Sequence, residues 1–173
     1  EKSKATFTVK TPLSSLEKFY KYSRVDIYQD AAKVFSGVID TVSDYELGQS
    51  MYYDINCIDN HYFVEKRTIT KAFLSEYSGN IMKFMVDNVL TQEGIWYDEN
   101  SIHLGPRITQ AYNLSYCDDA AEKVCDKTGF SYWVDNNMKL YFQDPTATLN
   151  PINITDEIII HKSFNSNISN FQY

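Results

Sequence analysis

The groups best suited to chemistry in this 173-residue chain are three histidines, three cysteines and a few close-set carboxylates. Asp54, Asp59 and His61 come nearest to a site. Alternating strand positions or a turn can bring two of them together, and a carboxylate beside an imidazole is the smallest unit capable of acid–base work. The same three residues also read as solvated groups at the exit of a strand, and that reading is favoured. Asp118-Asp119 resembles a metal pair, yet two acids ahead of a helical stripe suit the positive end of a helix. His61, His103 and His161 fall on different elements and lack metal-ligand spacing. Cys57, Cys117 and Cys125 are odd in number and lack CxxC spacing, so they make neither a disulfide framework nor a zinc site. They read as buried free thiols of a reducing compartment. Trp133, Tyr132, Tyr141 and Phe142 offer rings that can stack on sugars, although cross-strand packing explains them more simply. The chain has no G-x-x-x-x-G-K, no G-x-G-x-x-G and no G-x-S-x-G. Residue types and spacing therefore single out no catalytic, cofactor-binding or metal-binding residue, and the chain reads as a non-enzyme without cofactor.

The elements that carry these residues are easier to place. Ala5 to Val9 alternates and predicts a strand. Thr11 to Tyr22 reads as a connector or a short helix around Leu13 and Leu16. Three strands follow in a meander: Val25–Tyr28, Val34–Val42 and Met51–Asp59, with Asp44 to Ser50, including Gly48, as the turn between the last two. In the last strand Met51, Tyr53, Ile55 and Cys57 form an apolar face, and Tyr52, Asp54 and Asn56 a polar one. The middle strand is apolar on both faces, through Val34, Val38 and Val42 on one and Phe35 and Ile39 on the other. Gly37 within it fits a bulge or sharp bend.

The character changes after His61. Lys66–Phe73 reads as an exposed strand. Ser78 is the expected N-cap of a helix over Asn80–Gln92, with Ile81, Phe84, Met85 and Val89 on one stripe and Gly94 as its stop. A short strand at Ile95–Tyr97 and a loop over Ile102–Ile108 lead to a second helix, Asp118–Thr128. Its inner stripe is Ala121, Val124, Cys125 and Thr128, and Gly129 ends it. Phe130–Val134 and Lys139–Phe142, joined by Asp135-Asn136-Asn137-Met138, predict a hairpin. The run Ile158–Ile160 predicts a final strand before an Asn/Ser-rich end.

Bulk properties set outer bounds. A hydrophobic content of 43% allows a real core. The 14 Tyr and 10 Phe suit strands, and also half-buried surfaces that meet a partner. A net charge of −7 without a basic run makes specific nucleic-acid binding unexpected. No apolar run reaches the length of a bilayer span. The first residue is Glu1 instead of Met, so the chain reads as a piece of something longer or a processed product.

In order, these motifs resemble one family. Val25-Asp26-Ile27-Tyr28 with Val34-Phe35-Ser36-Gly37-Val38-Ile39-Asp40 is similar to the "V-x-I-Y … x-F-x-G-x-I-D" start of phage tail hub proteins. Tyr53-Asp54-Ile55-Asn56-Cys57-Ile58-Asp59 looks like their next strand. Ser78 to Met85 matches the helix that follows. Glu93-Gly94-Ile95, Gly105-Pro106-Arg107-Ile108 and the block from Thr128-Gly129-Phe130 to Leu140-Tyr141-Phe142 complete the set. Ala121 stands where the family usually has leucine, and the aromatic–Trp spacing is shifted by one residue. The family spans the baseplate hub of contractile phages, the N-terminal part of siphophage tail-tip proteins and the related spike base of type VI secretion.

The resemblance implies an α+β fold: an antiparallel β-barrel-like domain (residues 1–62), interrupted by a small α/β domain with two helices and a β-hairpin (residues 63–146). Residues 147–173 would return to the β-domain. It also implies a structural tail-tip or baseplate-hub component. That component would work as a homotrimer, touch tail-tube and distal tail proteins, and reside in the virion tail after assembly in the bacterial cytoplasm. A carbohydrate- or receptor-binding module of the tail tip is the alternative. An acidic tube lumen, along which DNA slides without sticking, is a further expectation, as is a monomeric state for the isolated chain.

Overall fold

The computed structural model describes residues 3–14 and 18–146. It is a mixed α+β fold built on a curled antiparallel sheet that makes half a barrel. The sheet contains β1 (Lys4–Pro12), β2 (Arg24–Gln29), β3 (Ala32–Leu47) and β4 (Ser50–Asp59), in the order β1-β4-β3-β2. The meander is therefore present, and β1 adds to its outer side, running from Lys4 against Ile58 to Pro12 against Ser50. Two-residue turns make the meander compact. Asp30 and Ala31 join β2 to β3, both with positive φ (48° and 68°), as a tight hairpin of matching twist requires.

Three details differ from the sequence reading. First, Asp44–Leu47 is not a connector. It extends β3, with Tyr45 opposite Tyr52 and their rings stacked 5.2 Å apart, and the turn shrinks to Gly48-Gln49. Cross-strand ring stacking stabilises a long two-stranded arm, and Gly48 supplies its positive φ of 65°. Second, the irregularities of β3 fall at Val34 and Asp40, which the neighbouring strands skip, and not at Gly37. An extra residue reverses the alternation. Val42 therefore turns to the side of Phe35 and Ile39, away from Val38, and Val34 is left exposed. Third, Gly37 is needed for close backbone approach to Ile58 and Asp59.

The rest of the described chain packs as one body around a larger core. A single turn, α1 (Tyr62–Glu65), leads to β5 (Thr68–Tyr77), α2 (Ser78–Asn88) and a 3-10 turn, Leu90–Glu93. Then come β6 (Arg107–Tyr116), α3 (Cys117–Thr128) and the hairpin β7 (Ser131–Val134) and β8 (Leu140–Gln143). β5 pairs with β6, and its face bearing Ile69 and Phe73 is buried, so the strand expected to be exposed is half in the core. β6 has no counterpart in the sequence reading. Ile81, Met82, Met85 and Val86 of α2 meet Ala120, Ala121 and Val124 of α3, with Leu140 and Phe142 closing the layer. Period 3.6 on the helices and period 2 on β8 make this face continuous.

Helix ends follow the glycines. Gly94 (φ 87°) and Gly129 (φ 72°) adopt the left-handed conformation that stops the 3-10 turn and α3. The start of α2 is different from expectation. Tyr77 is the N-cap and Ser78 the first helical residue. The helix's first N–H groups are satisfied by a loop: Ser78 donates to the Pro106 carbonyl (2.9 Å) and Gly79 to that of Leu104 (2.8 Å). In the hairpin turn the positive φ falls on Met138 (64°), while the Asp135 carboxylate accepts from the N–H groups of Asn137 and Lys139. The stretch at Ile95–Tyr97 is reduced to a bridge of Trp96 to Lys139. The expected final strand at Ile158–Ile160, the return segment 147–173 and Leu16 lie outside the described residues.

Val38 and Ile58 pack the convex face of the sheet onto the larger core, whereas Ile39, Ile55 and Cys57 face the concave side. Polar contacts reinforce that joint. Arg24 donates to the Glu93 carbonyl (2.7 Å) and covers the Phe63 ring, and the buried Asn60 donates to the Asp135 carbonyl (2.9 Å). The middle strand is apolar on both faces because one packs on the larger core and the other lines the concave side.

Candidate functional site

The concave face of the half-barrel gathers a second, partly open apolar cluster. Alternation along β1 turns Ala5, Phe7 and Val9 inward, and alternation along β2 turns Val25 and Ile27 inward. They join Phe35, Ile39, Val42 and Ile55, and Phe19 adds an edge-on ring 5.1 Å from Tyr53. The curl leaves an open cleft of about 770 Å³ lined by Phe7, Phe19, Val25, Ile27, Ile39 and Ile55, with Thr6, Lys18, Asp26 and Tyr28 at its margin. β1 and β2 are the two ends of the sheet order and do not pair with each other. Among the described residues, neither has a partner strand along its outer side, and such an edge is a template for another strand. An apolar trough between two edges that have no partner strand among the described residues is suited to receiving chain.

Charges at the rim are arranged in pairs. Lys33 lies 3.2 Å from Asp26, whose carboxyl is held below its ordinary range first by a hydrogen bond from Ser36 and then by Lys33. Lys21 lies 3.6 Å from Asp40. These exposed pairs orient the strands but contribute little stability.

The titratable residues regroup. Asp54 remains on β4 and accepts a hydrogen bond from Thr8 (2.6 Å), far from imidazole chemistry. Asp59 accepts the backbone N–H of His61 (3.1 Å), a turn contact that leaves the ring free to face elsewhere. The ring partner is Asp118: His61 Nε2 lies 2.8 Å from Asp118 Oδ1. The Tyr132 hydroxyl donates to the same Asp118 oxygen and stands 3.1 Å from His61 Nε2. Burial, followed by Asp118, pushes the Tyr132 phenol well above its ordinary range. Glu65 completes a group in which one donor atom each of His61, Glu65 and Asp118 lies within 4.8 Å of the others. Asp119 stays outside and exposed. Reading His61 with Asp54 and Asp59 missed its true partner, which is 57 residues away in sequence. Only the i, i+4 spacing of His61 and Glu65 was visible beforehand.

The thiols are free, with Cys57 and Cys117 buried and Cys125 partly so. The hairpin aromatics divide. Phe142 is fully buried, while Trp133 lies flat on Tyr141, with ring centres 4.9 Å apart and planes 3° apart, and keeps one face in solvent. Lys139 sits over both Tyr141 and Trp96 and pairs with Asp98, whose carboxyl it holds below its ordinary range. Among the described residues no helix is long and apolar enough to cross a membrane.

The sequence matches no family model and no curated protein. The fold matches solved phage tail proteins. The 43 kDa tail protein of prophage MuSo2 from Shewanella oneidensis superposes with a TM-score of 0.64 at 10% identity, over 82% of this chain and 46% of that one. A tail protein from Neisseria meningitidis gives 0.57 at 10% identity, over 82% and 44%. The prophage tail protein gp18 from Listeria monocytogenes gives 0.52 at 16% identity, over 79% and 40%. The chain thus shares its fold with these proteins and spans less than half their length.

Proposed function

We propose that this chain is a structural, non-enzymatic part of a phage or prophage tail. Its place is the tail tip or baseplate hub, where three copies close the tail tube and adapt threefold to sixfold symmetry. The observation that carries this reading is the half-barrel whose two end strands have no partner among the described residues, with an apolar concave face, in a fold shared with prophage tail proteins. A sheet edge that stays open invites uncontrolled pairing, and closed rotational symmetry is the usual remedy. Tail-tube and distal tail proteins are the partners this reading requires. Exposed Tyr20, Tyr28 and Tyr45 supply amphipathic contact area of the type found at interface anchors. The net charge of −7 fits a lumen that repels DNA.

The test is to purify tails from an induced lysogen carrying the gene and label them with an antibody to this chain. Label at the tip, with a threefold density there in averaged images, supports the proposal. Label along the tube, or no label on tails, overturns it.

A second reading, glycan or receptor binding at the tail tip, draws on the solvent-facing stack of Trp133 on Tyr141 and the exposed Trp96. Flat exposed rings bind sugar faces, and Asp98 and Lys139 would supply polar contacts. A glycan array decides it: reproducible binding that is lost in Trp133→Ala or Trp96→Ala favours this reading, and an array without signal removes it.

A further inference from the structure

We propose that His61, Glu65 and Asp118 form a binding site for one divalent transition cation, of which zinc is the type, at the joint between the half-barrel and the helical body. His61 and Glu65 are four residues apart on one helical turn, so their side chains share a face. Asp118 reaches them from the first turn of α3. The His61 and Asp118 side chains are both mostly buried. Imidazole nitrogen and carboxylate oxygen are both zinc ligand types, and three protein ligands leave a fourth tetrahedral position for water.

Geometry allows the closure. Metal bonds of about 2.0–2.2 Å place the donors of a tetrahedral ion about 3.3–3.6 Å apart. The present donors span separations from 2.8 Å, between His61 and Asp118, up to a limit of 4.8 Å. Side-chain movements of about 1 Å therefore bring all three onto one ion. The charge also fits. Metal ligation takes imidazole as the neutral ring and each carboxyl as carboxylate, so the three ligands bring two negative charges that a divalent cation cancels. Tyr132 is a positioning residue here. Its hydroxyl donates to Asp118 and fixes which oxygen faces His61, the role that outer hydrogen bonds play around metal ligands. The imidazole favours zinc-like ions over magnesium and calcium, which prefer oxygen alone. A bound ion would tie the end of β4, through His61, to α3, and so lock the half-barrel against the helical body.

Calorimetric titration of the metal-free chain with zinc chloride tests the site. The expected result is one ion per chain and a melting temperature raised by about 5–10 °C at a hundredfold excess over Kd. His61→Ala and Glu65→Gln should each weaken binding by about 100-fold, since losing a ligand costs at least as much as losing a group that orients one. Tyr132→Phe should weaken it by about 10-fold. Glu65→Gln keeps the side-chain volume and the His61–Asp118 contact, so the test holds even if His61→Ala fails to fold. Absence of binding up to about 1 mM zinc, which corresponds to negligible affinity, overturns the proposal. So does zinc binding that Glu65→Gln leaves unchanged, or magnesium binding as tight as zinc.

Discussion

Gly37 and Ile58 touch backbone to backbone: a β-carbon on Gly37 would stand 2.0 Å from the Ile58 carbonyl oxygen and 2.8 Å from the Asp59 α-carbon. Gly37 lies opposite Asp59 at the end of the β3–β4 ladder and opposite Val25 in the β2–β3 ladder, so the close approach sits where β4 leaves the sheet. Neither neighbour is a side-chain tip that can swing aside. Gly37→Ala should destabilise the fold by about 3 kcal/mol, read as a lower urea midpoint. A midpoint equal to that of the parent protein would show that the strands separate there at no cost.

The hairpin offers a contrast within one element. Phe142 is completely buried beneath α2 and α3, whereas Trp133 on the partner strand is 40% exposed. Phe142→Ala should cost about 3–5 kcal/mol because it leaves a cavity the core cannot collapse. Trp133→Ala loses chiefly its stack on Tyr141 and should cost about 1 kcal/mol. Equal losses in thermal melts of the two variants would contradict the assignment of the buried face.

Alkaline pH should weaken the fold. Burial pushes the Cys125 thiol up to about 11 and the Tyr112 phenol up to about 12, and raises Cys57 as well. Their folded forms hold protons that the unfolded chain has released. The stability they contribute is complete below their ordinary values near 9 and 10, and it is lost as pH rises toward the folded values. Cys125 alone contributes on the order of 2 kcal/mol of this, lost progressively from the unfolded value and fully only near the folded one. The urea midpoint should fall between pH 8 and about pH 11, and Cys125→Ala should flatten that fall. A midpoint constant across the range would refute this linkage.

The concave trough predicts a separation of folding from assembly. Ile27 lines the cleft near the β2 edge and is only partly buried. Ile27→Asp should cost the isolated chain no more than about 1–2 kcal/mol, because the charge can reach solvent. The same charge would oppose any strand or subunit seated in the trough. The expected outcome is a folded chain, by circular dichroism, that fails to appear in purified tails. Normal incorporation would place the contact surface elsewhere.

Local sequence was a good guide wherever structure depends on local geometry. Alternation located β1, β2 and β4, the helical stripes located α2 and α3, and Gly129 marked the stop of α3, because propensity and left-handed glycine act within a few residues. The helix expected to run to Gln92 ends instead at Asn88, and Gly94 stops the 3-10 turn that follows it. β6 escaped notice. Its inward Ile108, Gln110 and Tyr112 mix polar with apolar, and the loop read over Ile102–Ile108 from Gly105-Pro106 covers its start. Val42 was assigned to the wrong face because one extra residue at Asp40 inverts the alternation, and only pairing with β4 reveals which residue is extra.

The amino-acid order alone determined the α+β character, the meander, the hairpin and most element ends, since these arise from contacts within a strand, a helical turn or a tight loop. The tertiary structure alone decided how the described strands curl around an apolar trough, and that His61 meets Asp118 and Tyr132 instead of Asp54. Both depend on packing across long sequence separations, where the meeting of two residues is set by the core between them and leaves no trace in local periodicity.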